Sequence, residues 1–280
     1  MGVINITPNS FSDAISNLHH SAELIKKLNQ FKKIPALIFD FGFESSAPMN
    51  SAITSHQERI RFDLFFEMIK EVDLGGQWIS FDTYRPENYL YFEERFKSRY
   101  HDCGFIFNDV SGVLDAPLFD LLKSKKGQQD FYYLYCSTHI PSRDQTLSHM
   151  EFQREGNMLE MTATHFKNGF QKLAAIGMNQ QLILDPGFGF SKSFEQNWDL
   201  IRHFDELVLS LKDAGIVCPW LIGLSKKSFL RKVQPASHDP FGDAEILHAK
   251  IIKEFIVKNS GHLIFRAHDP FLVESVYAGL

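Results

Sequence analysis

Seven polar residues stand where short apolar runs end: Asn5, Asp40, Asp82, Asn108, Asp185, Arg266 and His268. Any one of them could be a cap for the helix that follows. Their recurrence at run after run points instead to groups that converge on one ligand. Asp185 opens Asp185-Pro186-Gly187-Phe188-Gly189-Phe190, in which two glycines let backbone approach a ligand closely and two phenylalanines offer faces for a flat ring. A carboxylate there can accept from two adjacent donors of an aminopyrimidine-like edge while an aromatic or cationic group stacks on the ring. The same stretch would also serve as a tight glycine turn with Phe in the core. Gly223-Leu224-Ser225-Lys226-Lys227-Ser228-Phe229 and Arg266-Ala267-His268-Asp269 gather two lysines, two serines, an arginine and a histidine. These are fit partners for a phosphate dianion or a pyrophosphate leaving group. The lysines alone would also suit a solvated loop. No Ser-His-Asp or Cys-His pattern stands out, so no covalent nucleophile is expected.

The elements that must position these groups are short. Apolar, β-rich runs recur at 2–5, 36–41, 77–82, 104–108, 131–137, 181–185, 219–223 and 262–267, each the length of a buried strand. Between them lie helical spacings such as Ala22, Leu24, Ile25, Leu28, or Leu64, Phe65, Met68, Ile69, Val72, or Ile246, Leu247, Ile251, Phe255, Ile256. Alternation of strand and helix forces parallel strands with crossover helices, and eight such units predict a single-domain (β/α)8 TIM barrel over 1–280. No G-x-G-x-x-G follows the first run, which disfavours a dinucleotide-binding sheet. The longest irregular segments, 6–19, 42–55, 138–148 and 224–240, all follow predicted strands, on the face where barrel enzymes keep their chemistry. The first of them, Asn5 to Asp13, reads equally as a turn with caps or as a lid.

Composition narrows the class. At 44% hydrophobic and 22% charged, the chain has ample material for a core, and its 27 phenylalanines read first as core filling. A net charge of −5 without basic runs disfavours nucleic acid as a partner. Cys103, Cys136 and Cys218 are far apart and form no C-x-x-C pair, which suits reduced thiols in a cytoplasmic protein and gives no zinc site. No run of eighteen apolar residues suggests a membrane span, and no secretory signal is evident.

Taken in order, these segments resemble the signatures of the dihydropteroate synthase family. Gly2 to Asp13 resembles its first-loop motif, Asp40 to Pro48 its second-loop motif, and Ile79 to Tyr84 its third-strand element. Asn108-Asp109-Val110-Ser111-Gly112 resembles N-D-V-S-G, 185–190 matches D-P-G-F-G-F, 223–229 resembles G-x-S-R-K-S-F and 266–269 resembles R-V-H-D. The resemblance implies a cytoplasmic folate-pathway enzyme that condenses 6-hydroxymethyl-7,8-dihydropterin pyrophosphate with 4-aminobenzoate, with Mg2+ on the pyrophosphate and a homodimeric assembly. Carried over residue by residue, it implies that Asp82, Asn108, Asp185 and Lys227 hold the pterin, with Asp82, Asp185 and Lys227 catalytic. Asn5, Arg266 and His268 would hold the pyrophosphate, Asn5 through the metal. Phe190 and Ser225 would border the aminobenzoate, and Gly223 and Ser46 would also touch substrate.

The second loop departs from the family pattern G-G-E-S-T-R-P-G, reading Gly42-Phe43-Glu44-Ser45-Ser46-Ala47-Pro48-Met49. Ala47 stands where the family has Arg. A lost bidentate phosphate contact is worth about 2–3 kcal/mol, a factor of roughly 30 to 150, if nothing compensates. Asn9 in place of Asp, Ala14-Ile15 in place of a glycine pair, Lys226 in place of Arg, and Tyr135-Cys136-Ser137 in place of M-H-M are smaller departures. Two other readings therefore stay open: a pterin-binding paralogue without turnover, and a methyltetrahydrofolate-dependent methyltransferase on the same barrel.

Overall fold

The structure is a computed structural model that describes residues 1–6, 14–44, 52–233, 238–258 and 262–279, and the side chains of all of these except 14–20. Gly2–Asn5 (β1), Ile38–Gly42 (β2), Trp78–Asp82 (β3), Gly104–Asp109 (β4), Phe131–Cys136 (β5), Leu182–Asp185 (β6), Trp220–Ile222 (β7) and Leu263–Phe265 (β8) pair in parallel in that order. The sheet closes on itself. Gly2 bridges Ala267 in parallel, the Val3 N–H donates to the Ala267 carbonyl at 2.9 Å, and the Ala267 N–H donates to Met1 at 3.0 Å. The expected (β/α)8 barrel is the observed one, and the strands begin and end within two residues of the predicted runs.

Strand periodicity sorts the side chains into two cores. Ile106, Leu134, Cys136, Ile183 and Leu221 pack together inside the barrel. Phe39, Phe41, Ile79, Phe81, Phe105, Phe107, Tyr133 and Leu184, of opposite parity, pack outward against the helices. Both faces of each strand are therefore covered, which is why the runs read as continuously apolar.

The crossover helices are Ala14–Phe31 (α1), Ser55–Met68 (α2), Pro86–Lys97 (α3), Ala116–Lys125 (α4), Met158–Ala175 (α5), Phe194–Arg202 (α6), Phe204–Asp213 (α7), Ser228–Arg231 (α8), Pro240–Lys258 (α9) and Pro270–Ala278 (α10). Their starts follow local chemistry: Thr54 with Gln57 and Ser193 with Gln196 form reciprocal capping boxes, and Asp115 and Asp269 accept N–H groups of the first turns of α4 and α10. The phenylalanines do fill the core. Phe62 of α2 stacks on Phe92 of α3 at 4.5 Å between centroids, and Phe41 lies 4.7 Å from Phe65.

Three local expectations need correction. The segment 138–148 is not wholly irregular, because Arg143–Phe152 forms a 3₁₀ segment with a kink at Ser148. The segments 6–19 and 224–240 likewise include the start of α1 and the whole of α8. Leu64 and Ile246, members of the helical apolar spacings, are exposed, since α2 turns Phe62, Phe65 and Phe66 to the sheet and α9 turns Ala244, His248, Ile251 and Ile252 inward.

Candidate active site

The register of the strands gathers the polar ends into one row. Asn5 pairs with Gly42, Gly42 with Asp82, and Asp82 with Asn108, while Cys136 pairs with Asp185 on the far side. Gly42 leaves a gap in that row. A Cβ there would lie 3.0 Å from Asn5 Oδ1 and 3.6 Å from Asp82 Cβ.

Arg266 spans the mouth. Its Nη2 donates to Asp82 Oδ2 at 2.6 Å and its Nε to Asp40 Oδ2 at 2.7 Å. The other Asp40 oxygen accepts from Ser80 Oγ at 2.6 Å and from Asn108 Nδ2 at 3.2 Å. A carboxylate only accepts, so this contact fixes which way the Asn108 amide points. Its Oδ1 is consequently buried without a partner among the described residues, an acceptor for which a ligand N–H is the natural complement.

Burial pushes the Asp82 carboxyl up to about 7 despite the opposing pull of Arg266, and burial likewise raises Asp185. Asp185 Oδ1 accepts the Gly187 N–H at 2.8 Å. Gly187 has φ +67° and a Cβ there would meet the Ser137 carbonyl at 2.5 Å, so the turn requires glycine. Lys227 sits 4.2 Å over the Phe190 ring, and desolvation lowers its ammonium to about 8 although Asp185 opposes that shift.

At the anion side, Ser225 Oγ accepts the His268 N–H at 3.2 Å and lies 3.1 Å from His268 Nδ1. The Ser225 hydroxyl thus fixes both the backbone and the ring of His268. Burial, followed by Lys226, Arg266, Lys27 and Lys227, lowers His268 to about 4, so the imidazole is neutral in the fold at pH 7. Gly223 lies beneath Arg266, where a Cβ would be 4.0 Å from its Cδ. Ser225 is thus engaged with His268, and it does not line the cavity of about 450 Å³ that Phe190 borders with Lys227 and Ser228. Asn5 is exposed at the rim. Ser46 and Ala47, like Asn9, lie outside the described residues.

Three contributors escape the sequence reading. Lys192 donates to the carbonyls of Ser137, Gly187 and Phe190 at 2.7, 3.0 and 3.2 Å, stapling the end of β5 to the 185–190 turn, and burial lowers it to about 8. Its signal is only that it follows the D-P-G-F-G-F run by one serine. His149 accepts the Ser191 N–H through Nδ1 at 3.2 Å and lies 4.7 Å from the Phe190 ring, presenting Nε2–H to the same cavity. Arg143 donates to Asp109, Asp115, Ser111 Oγ and the carbonyls of Tyr84 and Val113. That ties the ends of β3 and β4 to the 3₁₀ segment, and neither His149 nor Arg143 carries a pattern that marks it.

Residues 1–268 match the family described as pterin binding enzyme. The chain belongs to the pterin-binding enzyme family. Among its relatives, the dihydropteroate synthase of Escherichia coli strain K12 is 26% identical over 271 residues, covering 96% of this chain and 86% of that protein. The mitochondrial folate synthesis bifunctional protein of Pisum sativum is 27% identical over 239 residues, and this chain spans only 44% of its length. Among solved structures, a dihydropteroate synthase from Anaplasma phagocytophilum with bound 6-hydroxymethylpterin-monophosphate superposes with a TM-score of 0.74 at 23% identity, covering 99% of this chain and 96% of that one. The likeness to that structure bears on the family's fold. No helix among the described residues is long and apolar enough to cross a membrane.

Proposed function

We propose that this chain is a dihydropteroate synthase, joining 6-hydroxymethyl-7,8-dihydropterin pyrophosphate to 4-aminobenzoate with release of pyrophosphate. The observation that carries the reading is the mouth itself: a buried Asn108 Oδ1 without a partner among the described residues, beside the carboxylates of Asp82 and Asp185, with Arg266 and His268 at one side and the Phe190 cavity at the other. The pterin's donors match Asn108 Oδ1, Asp82 and Asp185, and Lys227 covers its face. The C–O bond to the pyrophosphate breaks first, and the electron pair leaves with the anion toward Arg266 and His268. Asp82 and Asp185 stabilise the resulting pterin methylene cation. The amine nitrogen, held with its ring against Phe190, attacks that carbon, and its surplus proton passes to the released pyrophosphate.

The residues present fit a magnesium ion. The side-chain oxygen of Asn5, beside Gly42 at the rim, is the hard oxygen donor that would hold it, with substrate phosphates and water supplying the remaining ligands. Bound there, the ion would neutralise charge on the leaving pyrophosphate. Asn5, Arg266 and His268 hold that end in place. The anion side is further supplied by Lys27 and Lys226, both close enough to depress His268.

We place the protein in the cytoplasm as a homodimer that binds neither membrane nor nucleic acid. In support, the three cysteines are free thiols, the net charge is −5, and α9 exposes Phe241, Ile246 and Val257. Incubation with the pterin pyrophosphate, labelled 4-aminobenzoate and Mg2+ should give labelled dihydropteroate. Pterin binding in calorimetry without that product would favour the inactive paralogue, for which Ala47 is the one specific argument. A methyltransferase is disfavoured by the Arg266, His268 and Lys226 cluster, because methyl transfer releases no pyrophosphate to hold.

A further inference from the structure

A second cavity, of about 600 Å³, opens on the outer wall between the residues after β4, the turn after β5, and α5. It lies apart from the mouth, and the reaction proposed above uses none of its side chains. One wall is a run of rings: Tyr135 stacks on His165 with centroids 4.7 Å apart and 18° between planes, and His139 meets His165 edge-on at 5.3 Å. Gly169 makes room for this wall, since a Cβ there would collide with the Tyr135 ring.

Both imidazoles are committed on one side only. His165 Nε2 lies 3.1 Å from the Cys136 carbonyl, which only accepts, so Nε2 carries the proton and Nδ1 is a bare acceptor. His139 Nε2 lies 3.2 Å from Ser137 Oγ. Neither Nδ1 has a hydrogen-bond partner among the described residues. Burial and the nearby cations lower His139 to about 3 and His165 to about 4, so both rings stay neutral at pH 7. His139 is held at φ +60°, a conformation that costs a non-glycine residue energy and that places its ring in the wall.

Opposite charge completes the lining. Arg154 and Lys172 both bear on His165 electrostatically, and Glu160 is the one carboxylate among the described residues of the wall. The volume lies in the range of sites for organic ligands and exceeds what a bare inorganic anion would fill. Rings, two cations and an unprotonated Nδ1 together specify a flat molecule with an acidic group at one end and an N–H at the other.

We propose that this outer cavity binds a small aromatic carboxylate bearing an N–H donor. The carboxylate pairs with Arg154 and Lys172, the ring lies along Tyr135 and His165, and the N–H meets His165 Nδ1. Its occupant would press on the end of β5, whose Cys136 and Ser137 also touch the pterin pocket through Asp185 and Lys192.

The test follows the His139 and His165 ring resonances by NMR in the full chain during titration with 4-aminobenzoate, benzoate and inorganic phosphate. The readout is local to the outer wall and needs no turnover, so it stands apart from the synthase assay. We expect saturable shifts with 4-aminobenzoate, weakened about tenfold in Arg154→Gln/Lys172→Gln, both exposed positions that the fold tolerates. His165→Phe, read at His139, should weaken 4-aminobenzoate and leave benzoate unchanged. Absence of saturable shifts, equal binding of phosphate alone, or indifference to the Arg154/Lys172 change would overturn the proposal.

Discussion

Arg266 reaches Asp82 across the mouth of the barrel, Nη2 to Oδ2 at 2.6 Å, although β1 and β2 stand between β8 and β3 in the sheet. The same guanidinium holds Asp40, so one side chain pairs with a buried carboxylate and a half-buried one and still faces the anion side of the site. Its geometry is what a lysine lacks: a planar fork with two separated edges.

Arg266→Ala should destabilise the fold by about 3–5 kcal/mol, because Asp40 would be left buried without its ion pair and Asp82 would lose its own. Arg266→Lys should recover part of that loss in urea unfolding yet remain poor in kcat/KM, since one ammonium meets one carboxylate at a time. Equal stability for all three proteins would refute the pairing as drawn.

Asn108 offers a cleaner separation of binding from folding. Among the described residues its Oδ1 has no partner and its Nδ2 meets Asp40, so Asn108→Ala removes one hydrogen bond there. Pterin affinity should drop by a factor of about 10 to 100, the value of roughly 1–3 kcal/mol for a buried hydrogen bond, while the unfolding midpoint falls only through the loss of the single contact to Asp40. Calorimetry with a pterin and thermal melting of the free protein read the two effects separately.

The alkaline limb of stability tests the two buried ammonium groups. Lys192 and Lys227 are lowered from 10.5 to about 8 in the folded protein. Between those values the unfolded chain binds more protons, so these groups make stability rise with pH from about 8. Lys227→Met should remove one such proton, so the mutant's stability rises less steeply than the parent's across pH 8 to 9.5 in denaturant titrations and the difference between the two grows with pH. It should also remove most of the proposed synthase turnover.

The eight strands are readable in the chain because a sheet covered on both faces demands unbroken apolar runs, and a polar residue at the end of such a run has few structural uses. Asp40, Asp82, Asn108 and Asp185 announce themselves in this way. Arg143 does not, because most of its anchors are backbone carbonyls and loop carboxylates that only the folded 3₁₀ segment brings near. His149 sits in that same polar stretch, which has no apolar period to mark it. The charge state of His268 is likewise invisible in its motif, since it depends on burial and on cations contributed by α1 and by the loop after β7.

Acid should unfold this protein through its histidines. His139, His149, His165, His248 and His268 are all lowered by burial, to about 3 for His139 and about 4 for the others. Each is neutral in the fold while the unfolded residue protonates near 6.5, so their contribution is complete above that pH and is lost progressively as pH falls toward 4. His248, whose ring nitrogens have no hydrogen-bond partner among the described residues, is the clean probe. His248→Phe should reduce the proton uptake on unfolding at pH 5 by about one, and an unchanged uptake would contradict the neutral, buried assignment.

Restoring the arginine of the second loop tests how the anion side manages without it. Ala47→Arg would be worth a factor of roughly 30 to 150 if the pyrophosphate now had no substitute partner. Lys27 and Lys226 already bear on His268, and Lys27 is held in place by donating to the Val3 carbonyl at 3.0 Å. The gain in kcat/KM from Ala47→Arg alone should therefore fall below about 30-fold, and it should grow when Lys226 is changed to Gln, because two groups that serve one anion are not additive. The four proteins of that cycle, assayed with the pterin pyrophosphate at fixed Mg2+, give the coupling directly. Strict additivity would mean that Lys226 and the second loop do not share the leaving group.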